Sequence, residues 1–301
     1  MSPLSITNTG ITEPVENIVC ILAPNPSPMT FKGTNTYIID NGELAIIDPG
    51  PLNEEHFSNI LDVTAHRTVK YIFLTHSHVD HSPLAKQLSA KLNTPVYGFG
   101  TSDTGLSAIM HSLIDSGYDS ASEGIDYEFT PDFFIKNDQR FDLNKKIITA
   151  IHTPGHMGNH ICFQYDKILF SGDHIMGWAT SLVSPPYGDL KQFMASCRLL
   201  QTKDFDLFLP GHGDPIKNPK ERLEFLINHR LDREQQIKET IKNYPLTALE
   251  ITKIVYTEID KSLIPAATRN VFAHLIDLNG RGIVYFLGEI SEKSKVGLRN
   301  Q

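Results

Sequence analysis

"YIFLTHSHVDHSP", residues 71–83, decides how this 301-residue chain is read. A run of β-forming residues stops at His76, His78, Asp80 and His81, and then gives way to Ser82 and Pro83. Residues two apart in an extended chain point the same way, so His76 and His78 can project together from the strand mouth onto one ion. Val79 lets the chain turn, and Asp80 and His81 then face a neighbouring ion. Ser82 is expected to cap the next helix, with Pro83 at its first position, where the missing N–H costs nothing. A solvated His-rich loop is the plain alternative. Three histidines and an aspartate in six positions, abutting a buried strand, weigh against it.

The same plan recurs downstream. "IITAIHTPGH" (147–156) ends on His156, "KILFSGD" (167–173) on Asp173 and "FDLFLPGH" (205–212) on His212. Each of these ligand candidates follows a glycine, which permits a sharp turn and close backbone approach. The set suffices for two ions. His76, His78 and His156 make a three-imidazole site, Asp80, His81 and His212 make a second, and Asp173 has two oxygens with which to bridge them. Imidazole and carboxylate without thiolate suit zinc best, with iron or manganese as the other candidates. The absence of an all-cysteine structural site favours an open, catalytic centre.

Around these motifs the chain alternates strands and helices. Strands are predicted at 17–22, 35–40, 43–48, 69–75, 145–152, 160–166, 167–173 and 205–211, with "DNGE" as a hairpin turn. Apolar spacing predicts helices over 53–67, 82–92 and 189–201. Residues 99–138, rich in Gly, Ser and Asp, read as a mobile insertion with a helical piece in "LSAIMHSLI" (106–114). Beyond residue 218 the character changes to a long charged helix, two further helices (247–259 and 266–280) and a hairpin in "GRGIVYFLGEI" (280–290), which together make a winged-helix-like module. The division expected is 1–218 for the domain that carries the metal ligands and 219–301 for a small C-terminal domain. Residues 219–301 hold 13 Lys+Arg against 11 Asp+Glu within a chain of net charge −8, so the first domain carries the whole acidic excess.

That balance argues against nucleic-acid binding through overall charge, although a local basic groove is compatible with it. No apolar run approaches the ~20 residues of a membrane span. The N-terminal stretch has no basic head followed by an apolar core, so no secretory signal is expected. Cys20, Cys162 and Cys197 are odd in number, far apart and set in apolar contexts. Buried free thiols and a reducing, cytoplasmic location are the expectation.

HxHxDH, TPGH, a strand-end SGD and PGHG, with "AIIDPG" (45–50) upstream, resemble the metallo-β-lactamase fold superfamily over roughly residues 18–215. The resemblance implies an α/β four-layer αββα sandwich with a dinuclear site at one edge between two sheets. Asp48 matches that family's buried aspartate, which implies a bracing role behind the ligands rather than ligation. A narrower likeness covers nearly the whole chain. "GTNTYII", "TPGHMGNH", "SGDHIMGW" and the tail from "HRLDREQQI" to "PAATRNVFAHLIDLNGRG" resemble the β-lactamase-like protein 2 group, which carries a C-terminal winged-helix domain. His160 fits that group, either behind the ligands or as a cap on the next strand. Met157 departs from the family, where many relatives place a threonine whose hydroxyl would lie near the metal.

Two cations sharing a water lower its pKa from 15.7 toward ~7, so a bridging hydroxide attacks an electrophilic carbonyl or phosphorus. Asp80 is also a candidate to orient that water. No Ser, Cys or Lys nucleophile stands in a recognisable setting. His174 and Trp178 are candidates for the substrate pocket, each weighed against a structural role. His56, His66, His111 and His229 read as surface residues, His152 as strand packing and His274 as a satisfied core residue. One function is hydrolysis of an ester, thioester, lactone or lactam, giving a small-molecule carbonyl partner. The alternative, implied by the narrower resemblance, is a zinc-dependent endonuclease acting on single-stranded RNA. A non-catalytic redox module is weaker, since nothing resembles a flavin domain. The tail could grip nucleic acid or serve packing and homodimer formation; no membrane partner is expected.

Overall fold

The computed structural model describes residues 10–118 and 124–299. The N-terminal nonapeptide and residues 119–123 of the expected insertion lie outside the described residues. Among those described, seven strands form one sheet in chain order: β1 (Ile11–Val15), β2 (Ile18–Leu22), β3 (Asn35–Asp40), β4 (Leu44–Ile47), β5 (Val69–Phe73), β6 (Val96–Gly98) and β7 (Phe133–Phe134). Five more form a second sheet in the order β12-β11-β10-β9-β8: β8 (Arg140–Leu143), β9 (Lys146–His152), β10 (Ile161–Tyr165), β11 (Ile168–Gly172) and β12 (Leu207–Pro210).

Period-two alternation sorts these strands into layers. Ile18, Tyr37, Ile39, Ile47 and Phe73 face Ile148, Ala150, Phe163, Phe170 and Leu209 in one core between the sheets. The intervening Ile21, Ile38 and Ile46 turn outward onto helices α1 (Glu54–Thr64) and α2 (Leu84–Leu92). On the other side, Ile151, Leu169 and Phe208 pack under α4 (Leu190–Gln201). Helix, sheet, sheet, helix is the result. Both sheets are covered on both faces, which is why their strands read as nearly unbroken apolar runs.

Asn53 caps α1 by accepting from the His56 backbone N–H, and Asp189 caps α4 in the same way. The expected cap of α2 is not formed. Pro83 occupies the cap position, and Ser82 Oγ instead donates to the His78 carbonyl and to Asp126, tying down the loop that holds the histidines. The short strands β1, β6, β7 and β8 were not predicted, because two- to five-residue segments such as "VYG" carry too little periodicity.

The C-terminal part contains α5 (Pro219–Thr240), α6 (Ala248–Val255), α7 (Ile264–Gly280) and a ribbon of β13 (Val284–Phe286) with β14 (Val296–Leu298). The ribbon differs from the hairpin expected within 280–290, since β13 pairs across a longer loop. Thr247 and Glu250 close a reciprocal capping box on α6. The first half of α5 (Leu223, Leu226, Ile227) lies in the same layer as α4, whereas Ile237 enters a separate core with Val271, Phe272 and Leu275. That second core also takes Met110 and Leu113 from α3 (Ala108–Asp115), so the helical piece of the insertion packs against the C-terminal helices. No helix among the described residues is long and apolar enough to cross a membrane.

Candidate metal centre

Strand direction brings the candidate ligands to one place. β4 and β5 are parallel, so Asp48 and the 76–81 loop leave the first sheet at the same end. β9 and β11 both pair antiparallel with β10, and β12 runs parallel to β11, so His156, Asp173 and His212 leave the second sheet at one end. Two backbone bonds stitch these ends together: Ile161 N–H to the Thr75 carbonyl (2.8 Å) and Asn35 N–H to the Gly211 carbonyl (2.8 Å). Close approach also needs absent side chains. A Cβ on Gly211 would sit 2.4 Å from Asp173 Oδ1, and one on Gly172 (φ +48) would sit 2.7 Å from His160 Nε2.

All seven residues converge. Inward-facing atoms form three overlapping groups with mutual separations within 4.8 Å: His76, His78 and His156; His76, His81 and Asp173; Asp80, His81 and His212. His78 Nδ1 lies 2.8 Å from His76 Nε2 and 3.1 Å from His156 Nε2. His212 Nε2 lies 3.3 Å from His81 Nε2, 3.0 Å from Asp80 Oδ2 and 3.2 Å from Asp173 Oδ2. Asp173 stands between the two histidine groups, as a bridging carboxylate would.

The outward hydrogen bonds fix the tautomers. Asp48 is 2% exposed and lies at φ +53, a left-handed conformation uncommon outside glycine. Its Oδ1 accepts the Thr75 N–H (2.8 Å), while Oδ2 accepts the Thr75 hydroxyl (2.8 Å) and His81 Nδ1–H (3.0 Å). Having donated to Asp48, the Thr75 hydroxyl accepts from His76 Nδ1–H (2.9 Å). His156 Nδ1–H donates to the Leu182 carbonyl (2.8 Å) and His212 Nδ1–H to the Gly33 carbonyl (3.0 Å). Four imidazoles thus turn Nε2 inward with outward N–H partners, the arrangement that orients metal ligands. Asp173 Oδ1 is buried with no hydrogen-bond partner. Inward lone pairs at such spacing repel unless positive charge lies among them.

Electrostatics divide the cluster. Burial pushes His76 well below its ordinary value, helped by His81, His78 and His156. Burial and His156 push His78 down to about 3. For His81 and His212 burial acts in the same sense, but the carboxylates outweigh it: Asp80, Asp173 and Asp48 raise His81, and Asp173 with Asp80 raises His212 to about 10. Burial raises Asp173, yet His212 and His81 more than reverse it. The carboxylates demand cations, which His81 and His212 supply as protons, while the crowded His76 and His78 resist protonation; the donor set fits divalent metal, whose binding would release those protons.

Other candidates fall differently. His160 is fully buried, donates or accepts at Nδ1 with Thr153 Oγ1 (2.9 Å), and packs 5.2 Å from the His76 ring. His174, expected as a pocket candidate, is instead sealed behind the centre against Phe193 (4.6 Å) and Cys197, where burial lowers it to about 3. Trp178 is 36% exposed, stacks on Phe31 at 4.9 Å and lines the cavity over the cluster. His56, expected at the surface, is fully buried under Gly50, with Nε2–H on Thr36 Oγ1 (2.8 Å). His274 is a core residue but not a satisfied one, since neither ring nitrogen has a partner. All three cysteines are free and buried.

Sequence reasoning missed Thr75, which relays His76 to Asp48, although a threonine placed directly before the first histidine was a visible signal. It also missed the tail's part in the site. Arg222 on α5 donates to the Met176 and Ala179 carbonyls, and Arg230 to the Ser181 carbonyl. Asn270 Oδ1 accepts from Val183 N–H (3.1 Å) and from Arg230 (3.1 Å). α5 and α7 therefore hold the 176–183 segment that supplies the Leu182 carbonyl to His156.

Residues 29–212 match the model of the metallo-beta-lactamase superfamily, and residues 247–292 match that of the beta-lactamase associated winged helix domain. A Drosophila melanogaster protein named beta-lactamase-like protein 2 homolog is 33% identical, with 91% of each chain covered. An Aspergillus fumigatus protein named atrochrysone carboxyl ACP thioesterase is 28% identical over 75% of this chain and 65% of its own length. Among solved structures, a beta-lactamase domain protein from Burkholderia ambifaria superposes with a TM-score of 0.79 at 20% identity, covering 99% of this chain and 96% of that one. The chain belongs to the metallo-beta-lactamase superfamily, as a hydrolase that joins this fold to the associated winged-helix domain.

Proposed function

We propose that the protein is a dinuclear zinc hydrolase of small carbonyl substrates, with thioesters and esters foremost. The carrying observation is a cavity of about 560 Å³ with His78, Asp80, His156, Asp173 and His212 on its floor and Met29, Met176, Leu182, Leu263 and Ala267 among its apolar walls. That volume and lining suit a compact, partly apolar ligand. Thioesterase relatives lend support to the acyl class.

His76, His78 and His156 would hold one ion, Asp80, His81 and His212 the other, and Asp173 both. Bound there, two divalent cations supply acidified water and Lewis-acid polarisation of the substrate oxygen. The chain's own groups do the rest. Asp80 is 20% exposed where Asp173 is 9%, so Asp80 is the carboxylate with room to receive the attacking water's proton, at the oxygen that His212 does not engage. Apolar walls orient the acyl chain and thin the surrounding water, which strengthens each charge interaction. Trp178, stacked on Phe31 at the rim, would flank the entering substrate.

A second reading, hydrolysis of single-stranded RNA, is favoured by one observation: the cavity wall carries Arg230 and Arg269. The experiment that divides them offers metal-loaded protein a panel of thioesters, esters and lactams beside labelled single-stranded RNA. The first reading expects chelator-sensitive turnover of carbonyl substrates and close to two zinc ions per chain. Cleavage of RNA alone would replace it with the second, and a content of one ion or none would overturn the dinuclear centre.

A further inference from the structure

Two arginines on the cavity wall have no counter-anion. Arg230 on α5 is 3% exposed, and its face lies 5.2 Å from the Phe193 ring centroid. It donates to Asn270 Oδ1 and to the Ser181 carbonyl, both neutral, while its Nε–H is buried with no partner. Arg269 on α7 also buries its Nε–H unpartnered. Among the described residues neither forms an ion pair, although nearby Arg281 pairs with Glu234 and Asp277 and Lys238 pairs with Glu234. His229, on the same wall, leaves Nδ1 buried without a partner.

A buried guanidinium without an anion is costly, and several kcal/mol is the usual penalty for an uncompensated buried charge. The bonds to Ser181 and Asn270 use two of five N–H donors. Both arginines line the cavity that has the metal cluster as its floor. Planar guanidinium forks match carboxylate and phosphate oxygens, and such charge-assisted bonds are about twice as strong as neutral ones.

We infer that Arg269 and Arg230 form an anion subsite contributed by the C-terminal helices, and that the substrate is an acyl compound bearing a second, anionic group, carboxylate or phosphate, away from its scissile carbonyl. This rests on the carbonyl-hydrolase reading above for the scissile end, but the subsite itself does not. Asn270 holds Arg230 in place, so it acts as a positioning residue for the subsite.

Calorimetry on the zinc-loaded full chain tests this with 4-phenylbutyrate, phenyl phosphate and neutral 4-phenylbutanol. Wild type should bind at least one anion ten or more times tighter than the alcohol, and the preferred anion identifies the source of the charge. Arg269→Gln should lose that preference and Arg269→Lys should keep most of it, a contrast available even where Arg230→Gln fails to fold. Anion binding unchanged in Arg269→Gln would mean that the metals alone hold the anion, and equal binding of the alcohol would mean that no subsite exists; either overturns the proposal. So would a loss confined to RNA cleavage. A parallel measurement compares thioesters with and without a distal carboxylate, where kcat/KM should favour the anion at least tenfold in wild type only. Arg269-dependent anion binding without turnover of any carbonyl compound would retire the hydrolase reading and leave the subsite standing.

Discussion

On the cavity floor, His76, His81, His156 and His212 each commit one ring nitrogen to a protein partner and turn the other inward. On the wall, Arg230, Arg269 and His229 keep buried nitrogens with no partner among the described residues. The floor is a preorganised set of lone pairs and carboxylates shaped for cations. The wall carries the donors of the inferred anion subsite. The floor groups come from strand-end loops, whereas the wall groups come from α5 and α7, where Asn270 and the Ser181 carbonyl hold Arg230 in place.

The contrast can be broken in several places. His156→Ala or chelation of the bound ions should lower hydrolysis by about a thousandfold or more, as loss of a catalytic metal's stabilisation of developing charge requires. Retained activity after chelation, measured on any turned-over ester, would remove the floor from the mechanism. Asp48→Asn leaves His81 and Thr75 without their anionic acceptor, and metal affinity should fall about 10–100-fold in chelator competition. An unchanged affinity would show that Asp48 merely packs.

His56 tests the scaffold beneath the floor. Burial pushes it from 6.5 down to about 4, so between those values only the unfolded chain takes up its proton. Stability is full above about 6.5 and falls by about 3 kcal/mol as pH drops to about 4. Denaturant unfolding of wild type against His56→Gln isolates that contribution, since the metal ligands titrate alike in both. The smallest effect belongs to the join between floor and wall. Asn270→Ala removes the acceptor of Val183 N–H and Arg230, costing about 1–2 kcal/mol of stability. It should weaken anion binding more than metal binding, and the reverse order would place Asn270 with the floor.

The strands and the ligand grammar were legible because both are local. Short apolar runs identify β2–β5 and β9–β12, and a ligand one residue past a strand-end glycine can be read from a single line of text. Ser82 was misread as a cap because the competing use of its hydroxyl, on Asp126, lies 44 positions away. His56 was misread because its helix carries charged neighbours, while it is buried under the Gly50 turn and bonded to Thr36, 20 positions away. His174 directly follows Asp173, yet the turn sends its ring to the opposite side, against α4. Arg230 drew no separate reading within the long charged helix, since nothing within α5 says that this face closes over a cavity.

By itself, then, the sequence determined most strands, the donor types and the seven candidate ligands, because apolar runs and turn chemistry act over a few residues, while the layered fold was implied only by the family resemblance. Only the tertiary structure decided which histidine nitrogens face inward, which residues brace them, and that α5 and α7 wall the cavity with uncompensated arginines. Those outcomes depend on parallel strand ends meeting across two sheets and on helices docking from far along the chain, and no local pattern encodes either.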